Sequence, residues 1–428
     1  MCGRILAALA LVLAAGCGGM QVKESKMADC RMHTLENRFY SSVWVFDRAA
    51  LPLTYTSKLT DNDFYLRRDT LEDGLKSFDG IVDCLPWVGG KGVPAKALLP
   101  KADWSIERED DACGSVRMIG TTEIEYRDAV AEKPSRLRFR KTVRAAKDTS
   151  QIRMDYEIVN VGDGAATFTI TAHGRVAPGG TRTEGDYFYA PGDRCWIGEQ
   201  LTWEALIERG FALNTWQKWP IPEATRFQPN QPGVGTVYAW IPTRWSAMGD
   251  PATGDAMVFW NTPLTIGGAE QDLYTCFLRR KTDFLVEICG SRSLRYYENK
   301  DMEGALLTLA PKETCSFTIC LAAYEGLNQP DFATAESVEP GYIVIETPAI
   351  AMQDGALRLS GRLMACGSLN FRLLQRDPQR DRVLHEWTAG PGLIDLSSIA
   401  PMSASADRRN LILSVSDMLG HETSYPIE

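Results

Sequence analysis

Histidine is scarce in this chain, four in 428 residues, and the eleven cysteines show no Cys-x-x-Cys spacing. Zinc ribbons, zinc fingers and thioredoxin-like redox motifs are therefore not indicated. Cationic runs are missing as well, and a formal net charge of −9 argues against nucleic acid as a partner. No metal-ligand set and no cofactor motif stands out, so neither a metal nor a cofactor is expected. Past the first twenty residues no apolar stretch is long enough to span a bilayer. Helical periodicity is thin, its clearest window being the short WEALIERG at 203–210, closed by Gly210. Internal repeats and low-complexity tracts are absent. What remains is 44% hydrophobic composition, ample for a packed core.

The first residues, MCGRILAALALVLAAGCGGM, read as a signal peptide. One cation, Arg4, precedes an apolar run from Ile5 to Ala15, too short for a spanning helix and followed by small residues. The ending Leu13-Ala14-Ala15-Gly16-Cys17 resembles a bacterial lipoprotein box, with Cys17 as the lipidated residue. An ordinary secretory signal with a chance cysteine is the alternative. Either way the chain is expected outside the cytoplasm, in the cell envelope on a lipid anchor (periplasmic or outer membrane) or secreted. Setting aside Cys2 and Cys17 leaves nine cysteines, an odd number, so at least one thiol stays unpaired. Cys276 and Cys289 flank an expected hairpin around Lys281-Thr282-Asp283, where they could face one another.

Strand signals dominate. RLRFRKTV (136–143), IRMDYEIVN (152–160), TFTITAH (167–173) and DFLVEICG (283–290) all alternate with period two between Gly, Asp or Asn boundaries. VNVGDGAAT reads as the turn of a hairpin between two of them. The expected fold is all-β: a large antiparallel sandwich followed by a small immunoglobulin-like sandwich. The boundaries are a signal peptide at 1–17, a linker at 18–34, the large sandwich at 35–327, a linker at 328–341 and the small sandwich at 342–428.

Three stretches resemble the galactose mutarotase-like (aldose 1-epimerase) superfamily. In MDYEIVNVGDGAATFTITAHG, Asn160, Gly162, Asp163 and His173 match a strand, a short acidic turn and a strand closing on a functional histidine. GIVDCLPWVGG (80–90) is similar to the signature of the hexose-6-phosphate mutarotase branch through Gly80, Ile81, Cys84, Pro86, Trp87 and Gly89. FLVEICGSRSL, followed by LTLAPKETCSFTICLAAYEGL, resembles the strand with the catalytic glutamate and the closing strand, which places Glu287 at the glutamate position. The resemblance covers about residues 35–327 and implies a β-supersandwich. The implied chemistry is mutarotation, in which Glu287 and His173 serve as base and acid while the sugar ring opens and recloses.

One position departs from the pattern. Where the family carries a second His-Gly pair, GVPAKALLPKADWSIE has Lys96-Ala97 between Pro94 and Trp104. An ammonium can hydrogen-bond a sugar hydroxyl but does not reproduce imidazole acid–base behaviour at its usual pKa. This tilts the expectation from turnover toward binding of a sugar or glycan, with Lys96 and Trp87 as substrate contacts.

Seven of the eleven tryptophans fall between 196 and 260. Flat aromatic faces beside hydrogen-bonding groups suit pyranose rings, although most tryptophans fill cores. Trp216 and Trp219, in a Pro-rich stretch without strand period, are the chosen sugar platforms. Arg182 and Arg244 are candidates to grip a carboxylate or sulfate by a bidentate fork. The functions that remain are a mutarotase-like enzyme, a non-catalytic glycan-binding protein, and a structural envelope lipoprotein with protein partners and no sugar site.

Overall fold

The structure is a computed structural model. It describes residues 19–27, 29–65, 70–77, 80–86, 98–111, 114–128, 131–180, 187–189, 191–192, 196–197, 213–218, 239–250, 252–279, 284–289, 306–325, 335–353, 356–376, 380–399, 402–403 and 411–426. The expected helical window at 203–210 lies outside them.

Period-two alternation becomes strand wherever one face can be buried. Pro134–Ala146 turns Leu137, Phe139 and Val143 to the core while Arg136 and Arg138 stay exposed. Ile152–Asn160 buries Ile152, Met154, Tyr156 and Ile158 in the same way. These two strands pair antiparallel and sit in an eleven-stranded sheet. Its main path runs Trp216–Lys218, Tyr187–Tyr189, Trp245–Gly249, Ala256–Asn261, Thr314–Tyr324, Ile152–Asn160, Pro134–Ala146, Ser115–Arg127, Ser105–Asp110. A side hairpin, Leu264–Ile266 with Ala269–Gln271, leans on Thr314–Tyr324.

A second sheet has six strands in the order Trp196–Ile197, Ala239–Pro242, Tyr274–Arg279, Phe284–Cys289, Thr171–Gly174, Ile81–Cys84. Ile81, Ala172 and Ile288 of this sheet join Met118, Phe139, Met154 and Phe317 of the large sheet in one apolar cluster. The two sheets are thus the layers of a sandwich, with that cluster between them.

Two expected connections differ. TFTITAH is not one strand: Ala166–Phe168 pairs with Leu307–Leu309, and Thr171–Gly174 belongs to the second sheet. Nor does VNVGDGAAT close a hairpin, since Ile152–Asn160 pairs with Pro134–Ala146 and Thr314–Tyr324 instead. Asn160 is the cause. Its buried amide donates to the carbonyls of Gly164 (2.8 Å) and Leu309 (2.9 Å) and accepts from Gly162 N–H (3.0 Å). The side chain thereby satisfies the turn locally and releases the following segment to cross over.

The segment expected as a linker at 18–34 is also structured. Gln21–Met27 and Cys30–Glu36 form a hairpin in a five-stranded amino-terminal sheet. Cys30 and Met32 pack there against Leu51, Leu53, Val82 and Cys84. The polar face of QVKESKM is simply its solvent side.

At the carboxy terminus, Ser337–Glu339, Tyr342–Gln353, Ala356–Ala365 and Gly392–Asp395 form one sheet, with Met402–Ser403 attached. Arg382–Ala389, Leu369–Gln375, Leu411–Ser416 and Glu422–Pro426 form another. Leu363, Phe371, Leu396 and Val415 are among the residues buried between them. Ser337–Glu339 falls inside the stretch expected as a linker at 328–341, where Val338 supplies the apolar contact that the sequence pattern hid.

This second sandwich is docked on the first. Val338, Ile343 and Cys366 pack with Tyr189, Ala247, Val258 and Tyr324 on the outer face of the large sheet. Ser150 N–H donates to Cys366 C=O (3.0 Å) and Ser368 N–H to Asp148 C=O (2.8 Å). Gly367 makes that approach possible, because a Cβ there would lie 2.6 Å from the Thr149 Cα. From the other side, the Asn37 amide donates to the Ala146 and Thr149 carbonyls.

One ion pair crosses the main core. Lys141 Nζ of the large sheet lies 2.7 Å from Asp83 Oδ2 of the second, and neither side chain has any exposure. The ammonium also donates to Ala50 C=O (3.1 Å), and the Tyr156 hydroxyl donates to Asp83 Oδ1 (3.1 Å). Burial pushes the Asp83 carboxyl up and the Lys141 ammonium down from their ordinary values; the contact between them opposes both shifts. Removing one partner strands a buried charge. Lys141→Met and Asp83→Val should therefore each cost about 3–5 kcal/mol in urea unfolding. The double variant should cost at least about 2 kcal/mol less than their sum. Simple additivity would remove the pair from the account.

Candidate functional site

The ladder of the second sheet decides which chemistry-bearing residues meet. Thr171–Gly174 lies between Ile81–Cys84 and Phe284–Cys289, all antiparallel. His173 pairs with Val82 on one side and with Glu287 on the other. Glu287 pairs onward with Cys276, Cys276 with Trp240, and Trp240 with Trp196. Directly opposed residues share a face, so the register sets Val82, His173, Glu287, Cys276, Trp240 and Trp196 in one row across six strands.

Alternation identifies that face. The intervening row, Asp83, Ala172, Ile288 and Thr275, is buried at 0 to 4% exposure, and Ala172 and Ile288 belong to the central cluster. The His173 row therefore belongs to the outward face. Its Val82 end is closed by the amino-terminal sheet, through Val82 and Cys84 on Leu51 and Leu53. His173 itself is half-buried, beside that wall.

The backbone around His173 is held from three directions. Arg175 N–H donates to Gly80 C=O (2.8 Å) and Ala177 N–H to Phe64 C=O (2.8 Å), while Val176 bridges to Tyr65. Gly80 has φ +83°, and a Cβ there would lie 1.9 Å from the Pro52 carbonyl oxygen. Only glycine lets the chain enter the strand Ile81–Cys84 at this closeness. Asp83, at the centre of that strand, is the residue fixed to Lys141. The strand beside His173 is thus tied to the large sheet as well as to its neighbours.

In this register His173 and Glu287, far apart in sequence, occupy directly opposed positions of adjacent strands. The same register puts Cys276 opposite Glu287 and Cys289 opposite Tyr274, so the two cysteines are offset rather than facing. Among the described residues no group of three or more His, Cys, Asp or Glu stands where it could hold a metal ion.

Other sequence candidates go elsewhere. Trp216 lies at the end of the large sheet, opposite Tyr189, and packs with Tyr189 and Trp245 under the carboxy-terminal sandwich. It is on the far side of the molecule from His173. The Pro-rich context that suggested a loop conceals the strand Trp216–Lys218. Arg244 is exposed and 3.9 Å from Glu270, again beside the large sheet. Trp87, Lys96, Arg182, Trp219 and Cys17 lie outside the described residues. The tryptophans in register with His173 and Glu287 are Trp240 and Trp196. The alternation Tyr238-Ala239-Trp240-Ile241-Pro242 carries the signal for the first, provided it is read as a strand.

No family model and no curated protein sequence matches the chain. Solved structures do resemble it. A candidate aldose 1-epimerase from Klebsiella pneumoniae subsp. pneumoniae MGH 78578 superposes with a TM-score of 0.54 at 11% identity, over 76% of this chain and 88% of that one. A galactose mutarotase-like protein from Clostridium acetobutylicum gives 0.49 at 10% identity, over 72% and 99%. Galactose 1-epimerase from Lactobacillus acidophilus NCFM gives 0.49 at 11%, also over 72% and 99%. The chain has the galactose mutarotase-like fold.

The position of Trp216 has a measurable consequence. Trp216→Ala should lower unfolding free energy by about 2 kcal/mol, the cost of emptying a partly buried aromatic site. Guanidinium denaturation checks this; an unchanged midpoint would show that the indole contributes no packing there.

Proposed function

We propose that this protein binds a sugar or the end of a glycan at the row formed by His173 and Glu287, in the manner of an aldose 1-epimerase domain. One observation carries the reading: two residues over a hundred positions apart, both at family-like positions, are direct partners in the outward face of one sheet. Trp240 and Trp196 extend that row and supply residue types suited to a pyranose face. The fold shared with the Klebsiella protein supports the same class of ligand.

The chemistry available is proton transfer. Glu287 takes the proton from an anomeric hydroxyl, and His173 donates to the ring oxygen, so the C1–O5 bond breaks; rotation and reversal give the other anomer. Lys96 in place of a second imidazole makes binding the primary role, and turnover is read separately. Saturation-transfer NMR with aldoses and short glycans should show binding that falls about tenfold or more in Glu287→Gln and His173→Asn. Exchange NMR from about pH 5 to 9 reads anomer interconversion, where loss of a general acid or base lowers the rate by about 10²–10⁴-fold. Absence of binding to every saccharide offered would defeat the proposal.

The setting we propose is the cell envelope, with Cys17 lipidated and the body tethered outside the cytoplasm. The carboxy-terminal unit reads as immunoglobulin-like. Its two sheets set the first, second and fifth long strands against the third, fourth, sixth and seventh, a two-layer antiparallel arrangement that supports this reading. Cys17→Ala should abolish palmitate incorporation and move the protein to the soluble fraction. Equal labelling of the variant and the unaltered chain would dismiss the anchor.

A further inference from the structure

The outward face of the large sheet carries a cavity of about 520 Å³, within the size range of small-ligand sites. It lies across the sandwich from His173, since Tyr156 and Phe317 beneath it are stacked at 4.5 Å in the central core. One row of its floor is Arg117, Arg144 and Arg153, directly opposed on three adjacent strands. Like charges directly opposed across a ladder are destabilising, and this row stands in a chain whose 55 Asp and Glu outnumber its 46 Lys and Arg. Among the described residues two carboxylates lie within ion-pair distance of these three guanidinium groups. Glu109 is 3.0 Å from Arg117, and Asp155 is shared between Arg144 (3.0 Å) and Arg153 (2.8 Å). Arg140 adds a fourth cation to the lining.

The rest of the lining narrows the ligand. The next rows present Thr142, Asp155 and Thr318, then Arg140, Glu157 and Ser316. The hairpin with Thr265 and Glu270 forms a wall. Among the described residues the outward side chains of the lining are polar apart from Pro263, which suits a polar ligand better than an acyl chain or an apolar peptide. Guanidinium donors interleaved with carboxylate and hydroxyl groups match a ligand whose anions are separated by hydroxyl-bearing rings.

We infer that this groove binds an acidic oligosaccharide, its carboxylate or sulfate groups held by the Arg117–Arg144–Arg153 row and its hydroxyls by Asp155, Glu157 and the threonines. The site is independent of the His173 row and stands or falls apart from it.

Isothermal titration of the full chain tests this with four probes. Hexagalacturonate offers carboxylates, a carrageenan hexasaccharide offers sulfates, maltohexaose is neutral, and inorganic sulfate is a free anion. At least one anionic oligosaccharide should bind, more weakly as salt rises, while maltohexaose does not bind this groove. Arg144→Gln should weaken that binding about tenfold or more, with a melting temperature unchanged or raised because the like-charge row is relieved. His173→Asn should leave it intact. The inference is overturned if neither anionic oligosaccharide binds, if Arg144→Gln binds as the unaltered chain does, or if sulfate alone binds as tightly. Loss of the binding in His173→Asn would overturn it too, by merging the two sites.

Discussion

A lysine and an aspartate without any contact with solvent join the two layers of the main sandwich. Hydrophobic packing alone is non-directional and would tolerate sliding of one sheet over the other. A buried ammonium needs its acceptors at fixed places, here Asp83 and the Ala50 carbonyl, and the Tyr156 hydroxyl completes the carboxylate. Asp83 lies between Val82 and Cys84, the residues that register against His173 and Thr171. The ion pair on the inner face therefore sets the position of the row on the outer face. Burial costs free energy on both groups, so the arrangement contributes a unique alignment more than it contributes stability.

Much of this architecture was legible in the sequence. Where a strand has one dry face and one wet face, as in Ile152–Asn160, alternation alone gave its limits to the residue. The partnership of His173 with Glu287 was foreshadowed by motif resemblance rather than by periodicity, because a ladder between distant strands leaves no local trace. The misreadings share a cause. Gln21–Met27 looked like linker because its partner strand and the wall beneath it are far off in sequence. Ser337–Glu339 has a single buried residue, too little for a pattern. Trp216 is of a residue type that suits both cores and ligands, and its contact with Tyr189 beneath the carboxy-terminal sandwich leaves no local trace in the sequence.

A sandwich has two outer faces, and this one uses them differently. One has His173 and Glu287 at directly opposed ladder positions, with Trp240 and Trp196 at further positions of the same register. The other is divided between an apolar half under the second sandwich and a cationic half beside it. The strands passing from one half to the other change character within a few residues: Thr314–Tyr324 offers Ser316 and Thr318 to the groove and Ala322 and Tyr324 to the docked unit.

The aromatic belt beneath the carboxy-terminal sandwich makes the first unit dependent on its cover. Tyr189, Trp245 and Trp260 on the same outer face would be a sticky surface in a lone first unit. His421 at the end of the DMLGH turn covers Trp260 at 5.5 Å and meets Glu339 at 3.1 Å, so the cover is fitted rather than loosely placed. Without the carboxy-terminal sandwich the first unit would expose this apolar face and be prone to self-association, so the second sandwich acts as its cover.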